Sequence, residues 1–157
     1  MSGSVNQRCG APRVLFADDN EQMRDFVTLL LTEAGFMVDA AENGVAALNL
    51  FKENAWDYDV LVTDNDMPDL DGVGLVKKFR EERFRGKIIV VSGGLSSANV
   101  AAYTELKVDR ILSKPVNSSV LMTAIYELHG AYLSGSAFHT SGYVTGGESD
   151  DPADADA

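Results

Sequence analysis

Cysteine is nearly absent: Cys9 stands alone in 157 residues, which excludes an internal disulfide and fits a reducing compartment. Histidine is scarce as well. His129 falls late in a helical pattern and His139 in a polar stretch, so with Cys9 near the N-terminus little is available for histidine- or cysteine-based catalysis. No apolar run approaches the roughly 20 residues of a membrane-spanning helix, and residues 1–12 lack the apolar stretch of a signal peptide. Basic side chains are outnumbered, 13 against 24 acids. Setting aside Glu148, Asp150, Asp151, Asp154 and Asp156 leaves 19 acids against 13 bases, a body of net charge −6 that repels a phosphate backbone. The expectation is a soluble, cytoplasmic domain with neither nucleic acid nor membrane as its main partner. The one basic crowd, Lys77, Lys78, Arg80, Arg83, Arg85 and Lys87, is interrupted by Glu81 and Glu82 and reads as a solvated helix face.

What the chain does have is apolar content, 45% of residues, enough for one sizeable core. Residues 1–12 and 135–157 are rich in Gly, Ser and Asp without periodicity and read as flexible tails, the second acidic, around one domain at 13–134. Within it, apolar runs alternate with helical patterns. VLFA at 14–17 is followed by Met23, Phe26, Val27, Leu30 and Ala34 on one predicted helix face, capped by Asn20 and ended by Gly35. A weaker strand at 37–41, interrupted by Asp39, has the look of an edge; Asn43 and Gly44 then open a second helix through Ala47, Leu48 and Phe51. VLV at 60–62 ends at Asp64, and Leu75, Val76 and Phe79 mark a third helix. IIVV at 88–91 ends at Ser92, a weak helix spans about 96–106, and Ile111 and Leu112 lead to Lys114 and Pro115. Leu121, Ala124, Ile125 and Leu128 mark the last helix. Apolar strands alternating with amphipathic helices predict an α/β fold, a doubly wound five-stranded parallel sheet of (βα)5 type with right-handed crossovers.

The conspicuous polar residues all sit where strands stop: Asp18 and Asp19 after the first, Asp64 after the third, Ser92 after the fourth and Lys114 after the fifth. Open parallel sheets bind ligands at their carboxyl ends, and a strand order of 2-1-3-4-5 would bring the three acids together. Clustered carboxylates repel unless neutralised, and Mg²⁺ suits oxygen donors, with the backbone carbonyl of Asp66 as a further ligand. A metal beside Asp64 leaves a carboxylate able to attack phosphorus and form an aspartyl phosphate. Lys114 would then place its charge, and Ser92 its hydroxyl, on the phosphoryl oxygens, with Gly93 and Gly94 allowing close approach. Each piece alone has a plainer reading: Asp18 or Asp19 as a helix cap, Ser92 with Gly93 and Gly94 as a turn, Asp69 and Asp71 as loop and helix-start residues. An EF-hand loop is excluded by Pro68 in its fifth position. A dinucleotide or flavin site would need amide donors where Asp18, Asp19, Asn20 and Glu21 stand.

With those residues assembled, the chain resembles the receiver domains of two-component response regulators, from about Arg13 to Tyr132, through VLFADD at 14–19, VLVTDNDMPDLDG at 60–72, VVSGG at 90–94 and ILSKP at 111–115. The resemblance implies a flavodoxin-like strand order 2-1-3-4-5. It makes Asp64 the phosphoacceptor, Asp18, Asp19, Asp64 and the Asp66 carbonyl the Mg²⁺ ligands, Ser92 the switch hydroxyl and Lys114 the phosphoryl contact. It implies a phosphohistidine donor on a sensor histidine kinase or a histidine phosphotransfer protein. The output, to a partner not identified, would use the face of helix four, strand five and helix five, either by partner binding or by onward phosphotransfer. Such a domain catalyses only its own phosphorylation and dephosphorylation, and the sequence after the fifth helix reads as tail, so a single-domain regulator is expected. One residue departs from the family: Ile111 occupies a position where receivers commonly carry Tyr or Phe. That departure leans towards the alternative of a pseudo-receiver, an interaction module independent of phosphorylation. Asp66, two residues after Asp64, also keeps open a hydrolase of phosphoaspartate type, against which the Asp18–Asp19 pair and the missing cap domain argue.

Overall fold

A computed structural model describes residues 11–54 and 57–129. The predicted C-terminal tail, the boundary at 134, Cys9 and His139 lie outside these residues, as do residues 1–10 of the N-terminal segment. Among the described residues ten elements alternate without exception: β1 (Arg13–Ala17), α1 (Glu21–Glu33), β2 (Met37–Ala41), α2 (Gly44–Glu53), β3 (Val60–Asp64), α3 (Gly72–Glu81), β4 (Lys87–Ser92), α4 (Ser97–Glu105), β5 (Arg110–Ser113) and α5 (Ser118–His129). All strand pairings are parallel and the order is β2-β1-β3-β4-β5, as expected. The reversal of winding falls between β1 and β3, so the ends of these two strands flank the crevice where such sheets bind ligands.

Helix starts follow local chemistry. The side chains of Asn20, Asn43, Asp71 and Ser96 accept hydrogen bonds from the amides of Met23, Ala46, Gly74 and Asn99, satisfying donors that the first helical turn leaves unpaired. Gly35, just past the end of α1, has φ +98°, a conformation that glycine adopts without strain.

The two cores follow the strand alternation. On β1, Leu15 and Ala17 join Leu61, Ile88 and Val90 beneath α2, α3 and α4, where Phe51 stacks on Phe79 at 4.4 Å between ring centres. Val14 and Phe16 point the other way, joining Val60, Val62, Ile89 and Val91 beneath α1 and α5. Each such fully buried side chain contributes about 1.5–3 kcal/mol relative to exposure, so the central strands anchor the site built on their ends.

Two expectations shift. The core face of α1 runs through Val27 and Leu31, with Met23 and Ala34 packed beside them, and Phe26 is 46% exposed. Several apolar positions of this helix are compatible with a buried stripe at about 100° per residue, and packing on β1 selects the rotation. Pro12, placed in the N-terminal tail by composition, accepts a hydrogen bond from the Met37 amide and so extends the β1–β2 pairing. The edge character of β2 holds, and Asp39 there is tied down by Arg13 at 2.9 Å and the Tyr58 hydroxyl at 2.6 Å. Burial and the Asp39 carboxylate push that phenol upward, so it stays a donor.

Candidate functional site

The carboxyl ends of β1, β3 and β5 converge on one acidic cluster. Carboxylate oxygens of Asp18, Asp19 and Asp64 lie within 4.8 Å of one another. Asp18 is held from three sides: its amide donates to the Ala41 carbonyl, its Oδ1 accepts from the Asn20 amide at 2.8 Å, and Arg24 Nη1 donates to its backbone carbonyl at 2.8 Å. Arg24 carried no signal in the sequence, since a lone arginine on a helix reads as solvated. Asp18 and Asp64 are buried and Asp19 is exposed.

Lys114 reaches this cluster from the end of β5. Its Nζ lies 3.1 Å from Asp64 Oδ1 and 3.6 Å from Asp18 Oδ2, so one ammonium spans two buried carboxylates. Burial pushes the Asp64 carboxyl above the usual range; the hydrogen bond with Lys114 opposes the shift and the Asp18 charge adds to it. For Lys114, burial favours the neutral amine, but the hydrogen bond to Asp64 and the charges of Asp18 and Asp64 outweigh it and leave the group above its ordinary value. Three carboxylates facing one ammonium leave the cluster negative, and all the donors are oxygen. That set suits a hard divalent cation such as Mg²⁺.

Ser92 ends β4 one residue beyond Val91, the register partner of Asp64. Its buried hydroxyl bonds within its own loop, donating to the Gly94 carbonyl at 3.2 Å and accepting from the Gly94 amide at 3.1 Å. A Cβ on Gly93 or Gly94 would meet nothing within 4 Å, so this loop stays open above the strand ends. Asp66 follows on the exposed side of the β3–α3 loop, where its Oδ1 accepts from the Asn65 side chain at 3.1 Å. Asp71 caps α3 and Asp69 takes φ +71° in the loop, matching the helix-start and loop roles read from the sequence.

Two residues at the site were not singled out in the sequence. Asn65, directly after Asp64, is buried, and its side-chain oxygen accepts from the Tyr103 hydroxyl at 2.5 Å and from Asn99 Nδ2 at 3.1 Å. Tyr103, on α4, has no exposed surface. Burial and the nearby carboxylates of Asp71, Asp66 and Asp64 push its phenol upward, so it remains a donor. A second polar residue directly after a strand that ends at Asp64 was the available signal for Asn65; the length of chain separating it from Tyr103 hid the pairing. The expected output face carries Ile111 on β5, 42% exposed.

The basic crowd is not one helix face: α3 stops at Glu81, so only Lys77, Lys78 and Arg80 lie on it, while Arg83 and Arg85 follow it and Lys87 opens β4. Lys77, Lys78, Arg83, Arg85 and Lys87 are exposed as expected. Arg80 differs, donating to the carbonyls of Leu106 and Lys107 at 2.8 and 2.7 Å and so closing the C-terminus of α4. His129, the last residue of α5, places Nε2 3.6 Å from Asp59 Oδ1, which precedes β3 and so lies at the opposite end of that strand from Asp64. Among the described residues no helix is long and apolar enough to cross a membrane.

Comparison with known proteins agrees with this geometry. The family profile of the response regulator receiver domain matches residues 14–126. The chain is 30% identical over 118 residues to the chemotaxis protein CheY of Halobacterium salinarum, covering 75% of this chain and 97% of that protein. It is 32% identical over 112 residues to the transcriptional regulatory protein CseB of Streptomyces avermitilis, covering 71% of this chain and 46% of CseB. The chain spans less than half the length of several curated relatives it matches. In structure it is similar to the receiver domain of the Francisella response regulator 1452, with a TM-score of 0.68 and 32% identity over 76% of this chain and 97% of that one. The sheet order, the acid cluster at the strand ends and these matches agree: the chain belongs to the response regulator receiver domain family of two-component signal transduction.

Proposed function

We propose that Asp64 accepts a phosphoryl group from a phosphohistidine, on a sensor histidine kinase or a histidine phosphotransfer protein, and that the loaded domain signals by binding a partner or passing the group on. The observation that carries this reading is Lys114 Nζ, 3.1 Å from Asp64 and 3.6 Å from Asp18 in a cluster of three acids. It is the arrangement a phosphoryl site needs: a nucleophilic carboxylate, a positive charge for the phosphoryl oxygens, and oxygen donors for a cation.

In the transfer, an Asp64 oxygen bonds to phosphorus while the P–N bond to the donor imidazole breaks. The electron pair returns to that nitrogen, and a ring protonated on its other nitrogen leaves as neutral imidazole. Lys114 exchanges its contact with the carboxylate for one with a phosphoryl oxygen, and the Ser92 hydroxyl turns from Gly94 to another. Asp18, Asp19, Asp64 and the Asp66 carbonyl would hold Mg²⁺, whose charge offsets the clustered carboxylates and draws electron density from the phosphoryl group.

The test is intact mass after incubation with acetyl phosphate and Mg²⁺, with EDTA as control. One phosphoryl adduct, absent with EDTA, is expected. A folded, Mg²⁺-binding protein that takes no adduct would overturn the reading in favour of an interaction module independent of phosphorylation.

Two substitutions separate metal holding from phosphoryl contact. Asp19→Ala removes one oxygen ligand and should weaken Mg²⁺ binding by about tenfold or more in calorimetric titration; unchanged affinity would take Asp19 out of the ligand set. Lys114→Ala removes a competing positive charge, so Mg²⁺ affinity should stay the same or rise. Its phosphorylation rate should fall about 100-fold, the loss typical when one donor to a developing charge is deleted.

A further inference from the structure

In the structure Ile111 is an aliphatic side chain, 42% exposed, opposite Val90 at the edge of the sheet. It offers no hydroxyl and no ring to couple a change at Asp64 to the helices. A buried polar connection exists elsewhere. The side-chain oxygen of Asn65 takes two donors from α4, the Tyr103 hydroxyl and the Asn99 amide. The Asn65 amide group in turn donates to Asp66, and its backbone bonds β4 through the Val91 carbonyl and α3 through the Gly72 amide.

We propose that Asn65, Tyr103 and Asn99 are the positioning residues that carry the state of Asp64 to α4, in place of a ring on β5. Asn65 lies between Asp64 and Asp66, so a shift of that loop when Asp64 is loaded moves the Asn65 amide. The Tyr103 hydroxyl has no solvent to turn to, and a buried donor without a partner is strongly disfavoured. Two responses are therefore open: α4 follows Asn65, or Tyr103 changes its place in the core. Close-packed interiors change between discrete arrangements rather than deform continuously, and either response reshapes the surface of α4. Arg80 holds the far end of the helix through Leu106 and Lys107, which confines the movement to the end near Asn99.

This inference rests on Asp64 as phosphoacceptor, and the experiment keeps the two apart. Hydrogen exchange across Ser97–Glu105 is measured on the full chain with and without Mg²⁺ and beryllofluoride, a phosphoryl mimic, for the parent, Tyr103→Phe and Asn99→Ala. Intact mass after acetyl phosphate is read for all three. The parent is expected to take the adduct and change its α4 exchange on loading. Tyr103→Phe keeps the ring and should still take the adduct, but its loaded-to-unloaded exchange ratio should fall by about fivefold, the weight of one buried hydrogen bond. Asn99→Ala lies at the rim of the core and should show a smaller loss of the same sign. If both variants take the adduct and reproduce the parental α4 ratio, the proposal is overturned and Tyr103 is merely core. A loaded parent with unaltered α4 exchange overturns it as well. A parent without adduct removes the Asp64 reading itself, and with it the signal this pathway would carry.

Discussion

Asp64→Asn is expected to abolish the phosphoryl adduct completely while the domain stays folded. The amide has the shape of the carboxylate but no anionic oxygen to bond to phosphorus, and no neighbour replaces it. Asp18 follows a different strand and is held by the Asn20 amide, and Asp19 is exposed at the mouth. The substitution also removes a buried negative charge beside Asp18. It sacrifices the ion pair to Lys114 at 3.1 Å, yet one ammonium then faces one buried carboxylate instead of two. Removing a desolvated like charge offsets the lost pair, so the metal-free variant should melt no lower than the parent. Intact mass reads the first outcome and a thermal melt the second. An adduct on Asp64→Asn would mean that another group is the acceptor.

Gly72→Ala should have the second largest effect, on stability and site together. Gly72 is the first residue of α3, and its amide donates to the Asn65 carbonyl at 2.9 Å. A Cβ there would collide with the Tyr103 hydroxyl and would lie 2.7 Å from the Asp64 carbonyl oxygen and 2.9 Å from Asn65 Cα. Two of these three neighbours are backbone of the acceptor segment and cannot turn aside. Forcing a methyl into a filled core costs about 1–3 kcal/mol, a large share of the 5–15 kcal/mol that stabilises a small domain. Relief must come from moving Asp64 and Asn65 themselves, so the phosphorylation rate of the folded fraction should drop by about 100-fold, as a displacement of about 1 Å at a reacting group produces. Chemical denaturation with acetyl phosphate labelling of the same sample checks both. A variant as stable and as reactive as the parent would show that the packing around Gly72 is looser than these contacts require.

Residues with local signals were read correctly. Asn20, Asn43 and Asp71 accept from amides three residues on, near-continuous apolar runs mark the buried strands β1, β3 and β4, and the 3.6-residue spacing marks the buried faces of α2, α3 and α5. The acids were legible for a related reason: each follows directly on an apolar strand, and strand ends in this fold class share one edge. Local pattern failed where several answers satisfy it. Met23, Phe26, Val27, Leu30 and Leu31 permit more than one buried stripe on α1, and only the shape of the sheet beneath excludes Phe26. Arg80 sits among five exposed basic residues and differs from them only because the end of α4 comes within its reach.

By itself the sequence determined the order of ten elements, their parallel winding and the position of every acid at a strand end, because capping, periodicity and strand termination act within a few residues. Tertiary structure alone decided that Lys114 spans Asp64 and Asp18, and that the Tyr103 hydroxyl reaches Asn65 across 38 residues of chain. Contacts of that kind depend on how α4 and β5 are rotated and seated against the sheet. That seating is set by the volume of Phe79, Val90, Leu106 and their neighbours acting together, and no window of sequence contains it.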